Sequence, residues 1–180
     1  MADTYVALLR GINVGKNKRV AMADLRSVIE SLGYSNARTL LNSGNAVFDS
    51  GRALKKGAAE ELRAALEKKT GVSSRFTLRS ASELDAVVRA NPLLDIGNEH
   101  SRLFAVFLTD PTELAKVKPL VKQQWKPEVV ALGPGVVYIW CPEGLLESKA
   151  PVAVGKALGD GHTVRNWATV MKLCALAQSD

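Results

Sequence analysis

The segment Arg10-Gly11-Ile12-Asn13-Val14-Gly15-Lys16 is the first stretch of the chain whose residue types could do chemistry. Its glycines let backbone amides converge on one point, and Arg10 and Lys16 add positive charge, a combination suited to an oxyanion. It is not the phosphate loop of nucleotide hydrolases. That loop needs four residues between its glycines, then Gly-Lys-Ser/Thr opening a helix directly. Here Ile12, Asn13 and Val14 separate the glycines, Asn17 follows the lysine, and helical spacing begins later. The structural reading of the same stretch is a glycine-hinged connection in which Asn13 hydrogen-bonds its own backbone. A second polar run, Asn42-Ser43-Gly44-Asn45, has the composition of a tight turn and also offers a hydrogen-bonding rim.

A second cluster is formed by Ser148, Lys149, Arg165 and Asn166. Asn166 is explained as a helix cap ahead of Trp167. Arg165 has no such account, and either pairs with an acid or holds a ligand. His100 and His162 lack a neighbouring ligand pattern, so no metal site is expected. Cys141, before Pro142, has no partner base and reads as structural. No catalytic acid–base pair or triad can be nominated, and no cofactor is implied.

These groups need regular elements to position them. Tyr5–Leu9 reads as a buried strand, and Met22, Leu25, Val28, Ile29 and Leu32 recur at helical spacing up to Gly33. Residues 37–41 and 46–49 are strands around the Asn42–Asn45 turn. Leu54, Ala58, Leu62 and Leu66 mark a second helix, and residues 74–78 a fourth strand. Ser80-x-x-Glu83 is a capping box opening a trailing helix that stops at Asn91-Pro92. The order then restarts. Residues 103–108 form a strand, and Asp110-Pro111-x-Glu113 opens a helix that Pro119 bends or ends. Residues 128–132 and 136–140 form a hairpin about Gly133-Pro134-Gly135. A helix broken by Pro151 and Gly155 lies within 148–158, followed by a strand over 161–164 and a last helix from Asn166.

Thr77-Leu78-Arg79-Ser80 and Thr163-Val164-Arg165-Asn166 repeat one pattern where the last strand of each half meets its trailing helix. The predicted fold is therefore α+β, with two tandem ferredoxin-like β-α-β-β-α-β units, each followed by an extra helix. The boundaries are 1–92 for the first unit, 93–101 for a linker and 102–180 for the second. In that topology the first and second strands point the same way. Arg10, Asn13 and Lys16 should thus meet Asn42, Ser43 and Asn45, and Ser148 and Lys149 should approach Arg165 and Asn166.

The 180 residues are 47% hydrophobic, enough for a buried core, and carry net charge +6 from 24 basic and 18 acidic side chains. That balance favours an anionic partner, yet Lys16-Asn17-Lys18-Arg19 is too short for a nucleic-acid tail. No apolar run approaches the roughly 20 residues that span a bilayer. The start of the chain lacks secretory character, and its two cysteines suit a reducing compartment, so a cytoplasmic protein without a membrane partner is expected. RNA recognition by stacking is disfavoured. Tyr5 is suitably placed, but Gly44-Asn45-Ala46-Val47-Phe48 supplies one aromatic where that motif has two.

The runs Ala7-Leu8-Leu9-Arg10-Gly11-Ile12-Asn13-Val14-Gly15, Met22-Ala23-Asp24-Leu25-Arg26, Leu41-Asn42-Ser43-Gly44-Asn45, Ser148-Lys149 and Thr163-Val164-Arg165-Asn166-Trp167 carry a resemblance. Together they resemble a bacterial family known only as domain of unknown function 1697. The resemblance implies a small cytoplasmic α+β protein and supplies no activity. It departs where Pro151 and Gly155 interrupt a helix that is plainer in the family. The expected function is binding of an anionic or phosphate-bearing small molecule by Arg10, Asn13, Lys16, Asn42, Ser43 and Asn45. The alternatives are non-sequence-specific nucleic-acid binding through the basic surface, a small enzyme, and a scaffold.

Overall fold

The computed structural model describes residues 3–179. Packing divides the chain into one unit of Met1–Leu84 with Leu173–Asp180 and another of Asp85–Lys172. The first unit contains β1 (Asp3–Leu9), α1 (Met22–Ser31), β2 (Ser35–Leu40), β3 (Asn45–Ser50), α2 (Ala58–Thr70) and β4 (Phe76–Ser80). The helix α3 (Ala81–Arg89) follows. The second contains β5 (Leu103–Leu108), a 3₁₀ turn over Pro111–Lys116, α4 (Lys118–Val121), β6 (Val129–Gly133), β7 (Val136–Trp140), α5 (Ala150–Leu158) and β8 (His162–Asn166). The final helix is α6 (Trp167–Gln178). No helix among the described residues is long and apolar enough to cross a membrane.

Each unit holds one four-stranded antiparallel sheet, ordered β2-β3-β1-β4 in the first and β6-β7-β5-β8 in the second. The repeat holds at the level of single residues. Tyr5 faces Ser80 and Leu9 faces Phe76, just as Phe104 faces Asn166 and Leu108 faces His162. Beyond the ladders, Leu9 N–H donates to Gly44 O (2.8 Å) and Arg10 N–H to Arg75 O (3.1 Å). Their counterparts are Leu108 to Gly135 (3.0 Å) and Thr109 to Gly161 (2.8 Å).

One face of each sheet carries a helix-covered core. In the first unit Ala7, Leu9, Ala46, Phe48 and Phe76 pack with Leu25, Ile29, Leu62 and Leu66. In the second, Val106, Leu108, Val137 and Ile139 pack with Val117, Val154 and Leu158. The opposite faces are buried as well, through Val6, Leu8, Val47 and Thr77 and through Ala105, Phe107, Val136 and Tyr138. That is why β1 and β5 read as unbroken apolar runs rather than alternating ones. Tyr138 lies beneath Trp167 of α6 (ring centroids 6.0 Å), and its hydroxyl donates to Val87 O of α3 at 2.6 Å. Gly133 is required beside it, because a Cβ there would come within 2.4 Å of the tyrosine ring.

The repeated four-residue pattern now has a job for each position. Leu78 and Val164 pack toward the helix-covered cores, while Thr77, Arg79 and Thr163 lie on the other face. Ser80 and Asn166 start the trailing helices. Ser80 Oγ accepts from Glu83 N–H (3.1 Å) while Glu83 Oε2 accepts from Ser80 N–H (2.7 Å), and Asn166 Oδ1 accepts from Thr169 N–H (2.9 Å).

Three element readings are corrected. The helix expected from Asp110 is a 3₁₀ turn followed by four-residue α4, which begins afresh with Pro119 in its first turn. The α2 helix starts at Ala58 rather than near Leu54, because Gly57 at φ +97° breaks the chain from helical geometry just before it. The interrupted stretch after Lys149 is an ordinary helix, Pro151 standing in its first turn where no amide is needed.

Both cysteines are buried and unbridged. Burial pushes the Cys141 thiol up to about 11 from an ordinary 9.0. Its contribution to stability is therefore complete below pH 9 and is lost as pH rises through about 11, because the unfolded chain ionises first. Burial raises the Tyr138 phenol too, adding to the loss above pH 10. The urea midpoint should fall progressively from about pH 9 to 11, and fall less in Cys141→Ala.

Candidate functional site

The candidate site is assembled at one end of the first sheet, where the connection from β1 to α1 meets the β2–β3 turn. Asn13 joins them. Its Nδ2 donates to Val20 O (2.9 Å) and to Asn42 O (2.7 Å), and its Oδ1 accepts from Val20 N–H (2.9 Å). Asn13 N–H also donates to Lys18 O at 2.9 Å, so residues 13–20 close as a loop upon themselves. Ile12 is buried beneath that loop. A Cβ on Gly44 would lie 2.9 Å from Ile12 Cδ1 and 2.7 Å from Leu9 Cβ, so only glycine lets the turn sit this close.

The turn is built from its own polar residues. Asn45 is fully buried and donates from Nδ2 to Leu40 O (2.9 Å) and Ser43 Oγ (3.0 Å). Asn42 and Ser43 are exposed. Arg10 is anchored by its backbone, its carbonyl accepting from Ser74 Oγ at 2.9 Å. Lys16 stands exposed on the loop with Asn17, Lys18 and Arg19. Asn13 and Asn45 thus have structural work, while Lys16, Asn42 and Ser43 present side chains to solvent.

Between loop and turn lies an open cleft of about 320 Å³, lined by Asn13, Arg19, Val20, Ala21, Met22 and Asn42. It reaches the start of α1, whose cap residue Ala21 offers no side chain to the first-turn amides. Asp24 N–H donates to Ala21 O at 3.0 Å, and first-turn amides without a side-chain acceptor, with an arginine alongside, suit a small oxyanion. Asp24 in the first turn opposes that field locally, with Lys69 Nζ 3.9 Å from its carboxylate. The backbone around the cleft is unusual. Asn13, Lys18 and Leu41 all have positive φ (53°, 51° and 58°), as do Gly11, Gly15 and Gly44. Arg19 and the uncapped helix start were absent from the sequence reading. Arg19 was visible only as part of a short basic stretch, and a missing cap leaves no motif.

The second cluster is arranged differently. β7 and β8 do end level with one another, Trp140 opposite Leu103 and Asn166 opposite Phe104. Ser148 is buried, its Oγ donating to Gly144 O at 2.7 Å. The Glu128 carboxylate accepts from Lys149 N–H (2.9 Å) and Ala150 N–H (2.7 Å), filling the start of α5. The Lys149 side chain is exposed. Asn166 is the α6 cap, and half-buried Arg165 donates from Nη1 to Val164 O at 2.9 Å. Desolvation pushes the Arg165 guanidinium down to about 10. No group of three or more His, Cys, Asp or Glu side chains suited to a metal occurs among the described residues.

A duplicated α+β protein with a loop–turn cleft on its first unit is the class that these features define. The chain belongs to the DUF1697 family, described as a protein of unknown function, whose match covers residues 2–138. It is also similar to a solved structure, that of the conserved bacterial protein SP0830 from Streptococcus pneumoniae. The two are 26% identical with a TM-score of 0.79, the alignment covering 99% of this chain and 100% of the other. No curated protein matches the chain.

Removing the Asn13 amide strands partners on both loop and turn. Asn13→Ala should cost about 2 kcal/mol in urea unfolding, with an unchanged denaturant slope and faster amide exchange at Val20. Glu128→Ala should cost about 1–2 kcal/mol by uncapping α5. Exposed Lys149→Ala should stay within about 0.5 kcal/mol of the wild type.

Proposed function

We propose that this chain binds a small anionic, phosphate-bearing ligand in the cleft between the 11–20 loop and the 42–45 turn. In this reading it is a cytoplasmic protein of two ferredoxin-like repeats, each with a trailing helix, and its two buried free thiols fit a reducing compartment. The observation that carries the binding reading is the coincidence of strained backbone with an open helix start. Asn13, at positive φ, lines a cleft that reaches the uncapped N-terminus of α1, and Lys18 and Leu41, also at positive φ, immediately precede Arg19 and Asn42 of its wall. Each such residue costs of order 1–3 kcal/mol and persists only where the surroundings enforce it, a condition concentrated at ligand sites. Arg19 supplies the charge at the cleft wall, Arg10 and Lys16 the wider positive field, and Asn42 and Ser43 the neutral hydrogen bonds.

A second reading uses the same loop for the phosphate backbone of a nucleic acid. Exposed Lys16, Lys18 and Arg19, with Val14 71% exposed at the tip, favour it. Its mark is affinity for arbitrary RNA or DNA that falls steeply with salt.

Calorimetry of the full chain with inorganic phosphate and pyrophosphate at low ionic strength tests the first reading. Binding should weaken roughly tenfold in Arg19→Ala and measurably in Arg10→Ala and Asn42→Ala, since charge-assisted bonds to phosphate are strong. Absence of binding by the wild type, or equal affinity in all three variants, would overturn it.

A further inference from the structure

We propose a second ligand site at the opposite end of the first sheet, for a small zwitterion with an apolar or aromatic body, the chemistry of a free amino acid. It does not rest on the anion-site reading. The cleft lies where β3 leaves the sheet for α2 and has a volume of about 380 Å³, within the range of small-molecule sites. Its walls come from the connection between α1 and β2 (Leu32, Gly33, Tyr34), the stretch from Ser50 to Lys55, and Glu61 of α2.

Three charged side chains line it: Arg52, Lys55 and Glu61. Among the described residues none of the three makes a side-chain hydrogen bond or ion pair, although both signs border one cavity. All three are exposed, and opposite charges that border one cleft without pairing suit a ligand that carries both. Arg52 and Lys55 would take the carboxylate, Arg52 by its planar fork, and Glu61 the ammonium group.

The apolar part has a surface to rest on. The Tyr34 ring packs at 4.8 Å against Phe48, which in turn stacks on Tyr5 at 6.0 Å, so the cleft's aromatic wall is fixed from behind. Leu32 and Leu54 complete that side. The Tyr34 phenol is held above its usual range by burial first and by Glu61 second, so it remains a hydrogen-bond donor throughout the neutral range. The strap carrying the cations is itself fixed. Ser50 Oγ donates to Arg52 O (2.5 Å), and Ala58 N–H to Lys55 O (3.1 Å).

The test is saturation-transfer NMR and calorimetry on the full chain with phenylalanine, tyrosine and leucine. N-acetylphenylalanine, which lacks the ammonium, and phenethylamine, which lacks the carboxylate, serve as half-ligands. At least one amino acid should bind, and each half-ligand should bind about tenfold more weakly than phenylalanine. Arg52→Ala should remove the advantage over phenethylamine, and Glu61→Gln the advantage over N-acetylphenylalanine. Both residues sit at the surface end of the sheet, and unchanged urea midpoints would show that the variants fold. Arg19→Ala should leave these affinities unaltered, so this site and the anion cleft fail separately. No binding of any of the three amino acids at millimolar concentration, or variants that bind all ligands like the wild type, would overturn the proposal.

Discussion

The side-chain amide of Asn13 is the interaction on which the candidate site depends. It ties the loop to itself at Val20 and to the neighbouring turn at Asn42 with three hydrogen bonds. Each contributes a net 0.5–1.5 kcal/mol or so, about half of the 1–3 kcal/mol that each positive φ at Asn13, Lys18 and Leu41 costs. The staple therefore offsets only part of the strain. Burial of Ile12, worth roughly 1.5–3 kcal/mol, decides the balance, and it requires Gly44 to approach without a Cβ. Loop, turn and cleft wall consequently stand or fall together.

The two units share a register but treat their helix starts differently. In the second unit the 3₁₀ turn begins on Asp110, whose Oδ1 accepts from Thr112 N–H at 2.9 Å, and α5 begins on the Glu128 carboxylate. Each of these crossover elements meets an anion supplied by the chain. In the first unit Ala21 and Gly57 give α1 and α2 no side-chain cap. The trailing helices are capped in both units, by Ser80 and by Asn166. The two crossover helices beside the clefts of the first unit thus start without a side-chain cap, as does the short α4 of the second unit.

Much of the architecture was legible because its signals are local. The capping box at Ser80, the cap at Asn166 and the paired hairpins each follow from a few adjacent residues. The meeting of Asn13 with Asn42 was legible for a different reason: two parallel strands flanking a helix oblige their ends to share one side of the sheet. What was missed depends on distance. Glu128 caps a helix that starts more than a full turn of hairpin later in the chain, and no spacing rule connects it to Lys149 and Ala150. Arg52, Lys55, Glu61 and Tyr34 are each unremarkable in their own segment and acquire meaning only around a shared cavity. Pro119 misled because a proline permits both the end of one helix and the first turn of the next.

The matched arginines set a limit on reading sites from sequence pattern. Arg79 and Arg165 occupy the same register, opposite Val6 and Ala105, and each donates from Nη1 to the carbonyl of the residue before it. Desolvation lowers the proton affinity of both guanidinium groups. Shared by both halves, that arrangement follows from the strand geometry they have in common: an arginine that precedes a capping residue has its stem against the sheet and one acceptor in its own backbone. A feature present in both repeats is thereby explained by the repeat. What one unit has and the other lacks is the loop with Asn13 and Lys18 at positive φ, and the cleft at Tyr34 bordered by Arg52, Lys55 and Glu61.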